Sequence, residues 1–187
     1  MTARLRAENA ETGKPVLRIA NGIGFLIDRI AMVTAIACVV AIFLALMLEV
    51  VIRYLTQSGL GWPNEVPNLL FPWLIMGGIV LGAIRGSHIA AEAIQAFLSK
   101  AQLRVLLMAI HLLVAISFGY LGYLSLQVIS ITKAQVFPMT GLGQAWAYSS
   151  LLFGFCGIAI ASIVNLVRVA FSDDPANLHQ PEPEHTI

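Results

Sequence analysis

Residues 30–48, IAMVTAIACVVAIFLALML, establish the fold class, because these 19 consecutive residues carry no charged side chain. An α-helix rises about 1.5 Å per residue, so 19 residues extend over about 28 Å, close to the thickness of a bilayer's hydrocarbon core. The apolar pattern continues past Glu49 to Ile52. The stretch therefore predicts a transmembrane helix over residues 30–52.

Three further stretches of this kind follow along the chain. Residues 66–84 contain 19 uncharged residues, residues 105–132 contain 28, and residues 145–167 contain 23. Lipid offers no hydrogen-bond partner to exposed backbone amides, so each stretch is expected to be helical. The sequence thus predicts an all-α integral membrane protein with four spans, over residues 30–52, 65–84, 105–131 and 145–167.

The composition of the whole chain agrees with residence in lipid. Of its 187 residues, 58% are hydrophobic and 11% are charged, against about 25% charged in a typical soluble protein. The formal net charge of +1 excludes the basic surface that nucleic-acid binding requires. Cys38 and Cys156 lie inside apolar runs, where a thiol is usually an inert small hydrophobe.

Lys and Arg residues in the connecting segments predict the orientation. Five lie before the first span, three between the second and third, and one after the fourth, whereas each of the other two connections contains one. Basic residues accumulate on the cytoplasmic side of a membrane. Nine basic residues on one side of the membrane against two on the other therefore predict that both termini are cytoplasmic.

Three flanking segments are expected to lie outside the spans. The leader comprises residues 1–29. From Val16 to Ile30, at its junction with the first span, isoleucines recur at helical spacing, which predicts an amphipathic helix on the inner membrane surface. Between spans two and three, an apolar face from Ala90 to Ala101 is typical of an in-plane amphipathic helix or of a solvated linker helix. The polar, Pro-rich tail within residues 168–187 is expected to be disordered.

Recognisable catalytic machinery is missing from the sequence, so no enzymatic activity, cofactor or metal site is expected. His111 is the ionisable residue well inside a span, and a histidine there more often makes a packing or interhelical contact than it binds a ligand. A haem site would need two facing axial ligands, and His88 lies at a span boundary instead.

Small and charged residues near the spans are candidates for docking or anchoring. Pairs of small residues four apart permit close helix approach, either within the bundle or with a partner. The pairs are Gly78 with Gly82 beside Gly77, Ala115 with Gly119, and Gly157 with Ala161. Glu49 precedes Arg53 by four residues, an order that favours a helical ion pair, although both could instead extend separately to the membrane surface.

The stretch from Glu49 to Ile89, EVVIRYLTQSGLGWPNEVPNLLFPWLIMGGIVLGAIRGSHI, resembles the small, DctQ-like membrane subunit of tripartite ATP-independent periplasmic (TRAP) transporters. The matching positions are Arg53, Tyr54, Trp62, Glu65, Phe71, Trp73, Gly77, Arg85, Gly86, His88 and Ile89. Residues 137–148, FPMTGLGQAWAY, are similar to the family's Pro-containing turn before a Trp-bearing fourth span. The resemblance covers roughly residues 30–167.

Physical roles can be suggested for these positions from their residue types. Trp62 suits the outer headgroup level, whereas Trp73 lies deeper and is expected to make a packing or subunit contact. Glu65 falls in the first turn of span two, where the helix dipole favours a carboxylate. Arg85 and His88 either form a cluster at the inner helix end or are ordinary positive-inside anchors. The candidate subunit-interface or anchoring residues are Glu49, Arg53, Tyr54, Trp62, Glu65, Trp73, Gly77, Gly78, Gly82, Arg85 and His88.

The resemblance implies a function in a bacterial or archaeal inner membrane. A large polytopic partner subunit would carry the substrate and sodium sites, and a periplasmic binding protein would deliver an organic acid anion. The present chain would brace the large subunit as part of a stationary scaffold, with membrane lipid around it and no substrate site of its own. Two alternatives remain open, a membrane-anchor subunit of a respiratory or redox complex and an unrelated four-span assembly protein.

Overall fold

The computed structural model describes residues 2–85 and 99–171 of the chain. These residues form four α-helices, α1 (Thr2–Thr56), α2 (Val66–Arg85), α3 (Lys100–Thr132) and α4 (Gln144–Phe171), and a short 3-10 helix, Trp62–Asn64. Each of the four α-helices is long and apolar enough to cross a membrane. The prediction of an all-α membrane protein with four spans is confirmed.

Helix α1 continues without a break through residue 30, which was predicted to be the boundary between the leader and the first span. At about 1.5 Å per residue, its 55 residues extend over about 80 Å, far more than a bilayer core requires. The described leader residues are thus helical and continuous with the span. Glycine weakens a helix by only about 1 kcal/mol relative to alanine, so Gly22 and Gly24 do not interrupt it. The surface position of the leader remains a prediction.

Helix α3 begins five residues before the predicted span, because a capping box starts it at Lys100. The Ser99 side chain accepts a hydrogen bond from the Gln102 backbone N–H, and the Gln102 side chain accepts one from the Ser99 backbone N–H. Ala101, which was predicted to belong to the in-plane helix, is therefore part of α3. The rest of that predicted helix, residues 86–98, and the predicted disordered tail, residues 172–187, lie outside the described residues.

Helix α4 is the centre of the bundle and contacts each of the other three helices. Its most apolar stretch is 44% buried within the chain, against 17–22% for the other three. Ala31 of α1, Val80 of α2 and Ile158 of α4 form a buried core where these helices cross. Helix α3 packs along α4, and Leu103 and Leu107 contact Val169 at one end of that pair.

Helix α1 packs through a narrow strip of small side chains. Ala31, Cys38 and Ala45 are buried at seven-residue intervals, the spacing that keeps one line of a helix facing its neighbours. Larger side chains between them, such as Val33, Phe43 and Leu44, are exposed on the other faces. Most of α1 is thus left to contact lipid or a partner.

Candidate functional site

Glu65 joins the two connecting segments at one end of the bundle, defined here as the outer end. Glu65 follows the 3-10 helix and its backbone carbonyl accepts a hydrogen bond from the Leu69 N–H of α2. Its carboxylate accepts hydrogen bonds from the backbone N–H of Met139 at 2.9 Å and of Thr140 at 2.8 Å, and from the Thr140 hydroxyl at 2.8 Å. A single buried side chain therefore ties the α1–α2 connection to the α3–α4 connection.

Glu49 performs a similar task within the α1–α2 connection. Its side chain is buried, and its carboxylate accepts a hydrogen bond from the backbone N–H of Leu60 at 3.0 Å. Arg53 is exposed, and the described residues contain no Glu49–Arg53 ion pair. The interpretation as a helical ion pair is therefore wrong, because the chain turns after α1 and offers Glu49 a backbone donor instead.

The aromatic residues at the outer end divide into packed and exposed ones. The Trp73 indole N–H donates to the Trp146 carbonyl at 3.1 Å, and the Trp73 ring centroid lies 5.3 Å from that of Trp146 and 5.6 Å from that of Phe153. Trp73 therefore packs α2 against α4, one of the two roles expected for it. Trp62 is exposed, and Tyr54 is 80% exposed, so these rings are available to lipid or to a partner.

Two polar contacts hold the inner end of the bundle together. Arg85 of α2 forms an ion pair with Asp28 of α1, with Nε–Oδ1 and Nη2–Oδ2 distances of 2.7 and 3.2 Å. This partner was not identified from the sequence, from which Arg85 was expected either to form a cluster with His88 or to be an ordinary positive-inside anchor. His88 lies outside the described residues.

The second inner contact is a chain of hydrogen bonds through α4. Asn165 is 1% exposed, and its amide donates to the Ala83 carbonyl of α2 at 3.1 Å. Arg168 donates through Nη1 to Asn165 at 3.2 Å and through Nε to Asn21 of α1 at 2.9 Å. Sequence reasoning missed this group, although an amide inside an apolar span, three residues before an arginine, is a signal for it.

The glycines of α2 lie on two different faces. A Cβ atom on Gly77 would lie 3.1 Å from the Ala31 carbonyl and 3.4 Å from the Ala35 Cβ, so Gly77 permits the close approach of α1. A Cβ atom on Gly78 or Gly82 would meet no atom of the described chain within 4 Å. The Gly78–Gly82 pair is therefore not used to pack the described bundle.

The small pairs in the other spans also differ in use. A Cβ atom on Gly157 would lie 2.8 Å from Val80 of α2, and Ala161 is fully buried, so the pair in α4 packs inside the chain. Gly119 of α3 has open space around it.

His111 is buried. The described residues contain no group of three or more His, Cys, Asp or Glu side chains placed to hold a metal ion.

Comparison with known proteins identifies the family. The sequence model described as "Tripartite ATP-independent periplasmic transporters, DctQ component" matches residues 42–172, most of the chain. Protein y4mM of Sinorhizobium fredii, named as uncharacterized, is 33% identical over 131 residues, which cover 70% of this chain and 24% of that protein. A Haemophilus influenzae protein that carries the provisional name TRAP transporter small permease protein is 29% identical over 98 residues, which cover 52% of this chain and 59% of that protein.

These matches agree with the arrangement of the four helices and favour the transporter family over the redox-anchor alternative. The chain spans 24% and 59% of the lengths of the two relatives. The match covers about the last quarter of α1 and all of the described residues that follow it. The chain is therefore a multi-pass membrane protein that belongs to the DctQ family, a component of the tripartite ATP-independent periplasmic transporters.

Proposed function

We propose that the chain is the small membrane subunit of a sodium-coupled TRAP transporter, in which it braces the large transport subunit as part of the stationary scaffold. The transporter takes up an organic acid anion, which a periplasmic binding protein delivers. The large subunit holds the substrate and the sodium ions, whereas this chain holds neither. The complex lies in a bacterial or archaeal inner membrane with both termini of this chain in the cytoplasm.

The unused glycine face of α2 is the observation that carries the bracing role. Helix α1 occupies the space beside Gly77, whereas Gly78 and Gly82, on the adjoining face of α2, have no neighbour among the described residues. The exposed side chains beside them are Phe71, Ile75 and Ile79. Small residues flanked by apolar ones allow a second transmembrane helix to pack closely. This face therefore suits a helix of the large subunit.

Polar contacts at both ends of the bundle support a stationary rather than a moving role. Glu65 joins the two outer connections, and the Arg85–Asp28 pair joins α1 to α2 at the other end. Such contacts resist sliding of one helix past another, because each would have to break. A moving domain changes its packing during the cycle, whereas a brace has to keep its own.

Co-purification of variants with the large subunit tests the proposed seam. We expect Gly78→Leu and Gly82→Leu to reduce recovery of this chain with a tagged large subunit, because leucine fills the space that the partner helix would occupy. Gly119→Leu is the matched control, since Gly119 has equally open space but lies on α3. Equal recovery of all three variants would exclude the α2 face as the seam.

Reconstitution into liposomes tests the function itself. Uptake of an organic acid driven by an inward sodium gradient should require the large subunit, the binding protein and this chain together. This chain alone should show no uptake, because transport sites are proposed only for its partner. Uptake by the single chain, or full uptake by the large subunit and binding protein without it, would contradict the bracing role.

A further inference from the structure

A pocket of about 350 Å³ lies at the inner end of the bundle, where three helices meet. It is lined by Arg85 of α2, by Arg168 of α4, and by Asn21, Phe25 and Asp28 of α1. Polar and charged side chains thus surround it on three helices, and Phe25 adds an apolar surface. Neither the family match nor the proposed bracing role assigns anything to this pocket.

The length of α2 places the pocket at the boundary of the lipid. Helix α2 has 20 residues, which extend over about 30 Å, the thickness of the hydrocarbon core. A helix of this length ends at the edge of the hydrocarbon, so Arg85, its last described residue, and the pocket beside it are expected at that edge, where an arginine side chain can extend to the lipid phosphates. This placement holds whichever side of the membrane the inner end faces.

The two arginines are held in place by protein contacts that leave part of each guanidinium unused. Arg85 donates through Nε and Nη2 to Asp28, and Arg168 donates through Nε to Asn21 and through Nη1 to Asn165. The Nη1 group of Arg85 and the Nη2 group of Arg168 donate to no described residue. Fixed arginines of this kind lose little conformational entropy when they bind a ligand.

The charges of the lining favour an anion. Arg85 and Arg168 contribute two positive charges and Asp28 one negative charge, so the lining is +1 overall, and the Asp28 carboxylate is already paired with Arg85. Arginine forms strong, paired hydrogen bonds with phosphate oxygens. Basic pockets between transmembrane helices bind anionic lipid headgroups.

We propose that this pocket binds the phosphodiester of an anionic phospholipid, with the unused nitrogens of Arg85 and Arg168 donating to its oxygens. A headgroup with a net charge of −1 balances the lining, whereas a zwitterionic headgroup would place its ammonium beside two arginines. Phe25 and the adjoining Ile84 contact the glycerol and the first part of the acyl chains. The site does not depend on the transport function, so either proposal can fail without the other.

Native mass spectrometry of the full-length chain in detergent, titrated with phosphatidylglycerol or phosphatidylethanolamine, tests the site. Wild-type chain should bind phosphatidylglycerol more tightly than phosphatidylethanolamine. Each arginine near a phosphate contributes about fivefold to affinity, so the Arg85→Gln/Arg168→Gln variant should bind phosphatidylglycerol about thirtyfold more weakly. Arg53→Gln, which removes one positive charge at the outer end, should bind like wild type.

Asp28→Asn separates loss of the site from loss of the fold. This variant removes the carboxylate charge but keeps an amide oxygen that can accept a hydrogen bond from Arg85. Arg85 therefore stays in position while the lining becomes more positive, so the variant should bind phosphatidylglycerol at least as tightly as wild type. Weakened binding by Asp28→Asn would mean that the ion pair maintains the structure and would overturn the proposed role of the arginines.

Three further outcomes would overturn the proposal. They are equal binding of the two lipids by wild type, wild-type affinity in the double arginine variant, and displacement of phosphatidylglycerol by an equal concentration of inorganic phosphate. The last result would identify the pocket as a site for soluble phosphate instead.

Discussion

Glu65 shows how much one side chain can organise at the edge of a membrane. The sequence predicted Glu65 in the first turn of the second span, where the helix dipole favours a carboxylate, whereas the structure places it directly before α2. The structure adds the hydrogen bonds to Met139 and Thr140, which lie 74 and 75 residues away along the chain. No local pattern reveals such donors, because they are backbone groups of another connection.

Glu65→Gln should loosen the outer end of the bundle. The glutamine amide would direct N–H donors toward a site that now receives three donors, so at least one hydrogen bond would be lost. We expect amide hydrogen exchange at Met139 and Thr140 to become about tenfold faster, measured by mass spectrometry of the chain in nanodiscs. Asn64→Ala, at the exposed neighbouring position, is the control. Unchanged exchange in Glu65→Gln would show that other contacts hold the two connections together.

The helices illustrate what charge-free stretches can and cannot predict. All four spans were found, and the predicted limits 65–84 differ by one residue at each end from those of α2, Val66–Arg85. Helix α4 continues to Phe171 and α1 begins well before residue 30, because a helix needs apolar residues only where it crosses the hydrocarbon. The start of α3 depended on a different signal, the Ser99–Gln102 capping box, which charge spacing does not detect.

Packing between helices was the least predictable feature. Gly77 and Gly78 are adjacent and chemically identical, yet only Gly77 meets α1. Which glycine faces a neighbour depends on how α2 is rotated about its own axis. The sequence does not determine this rotation, because α2 is apolar on most of its faces. For the same reason, the sequence indicated that Trp73 makes a packing or subunit contact but did not identify Trp146 as its partner.

Asn165 should make a measurable contribution to the packing of α2 on α4. Asn165→Leu keeps the branched shape of the side chain but removes the hydrogen bonds to the Ala83 carbonyl and to Arg168. Interhelical hydrogen bonds in membrane proteins contribute about 0.6 kcal/mol on average and up to about 1.7 kcal/mol. We expect the free energy of unfolding in detergent to fall by about 1 kcal/mol. Ser162→Ala is the control, since Ser162 is buried on the same helix without a hydrogen bond to another described helix. A variant as stable as wild type would show that leucine packing compensates for the lost bonds.

The predicted orientation of the whole molecule rests on its basic residues rather than on its packing. Nine of the eleven Lys and Arg residues lie in segments on one side of the membrane, and such an excess marks the cytoplasmic side. The structure is compatible with either orientation, because the helix contacts are the same in both. Charge and packing therefore specify different properties of this protein.

Labelling with a membrane-impermeant maleimide tests the orientation. In a background with Cys38→Ala and Cys156→Ala, we expect Ala134→Cys, in the α3–α4 connection, to react in intact spheroplasts. Asn177→Cys, in the segment after α4, should react only after the membrane is opened, since the positive-inside distribution predicts that both termini are cytoplasmic. The background without either new cysteine measures nonspecific labelling, and lysed cells show that both positions are reactive. Reaction of Asn177→Cys in intact spheroplasts, with Ala134→Cys protected, would reverse the orientation and would place the arginine pocket in the outer leaflet.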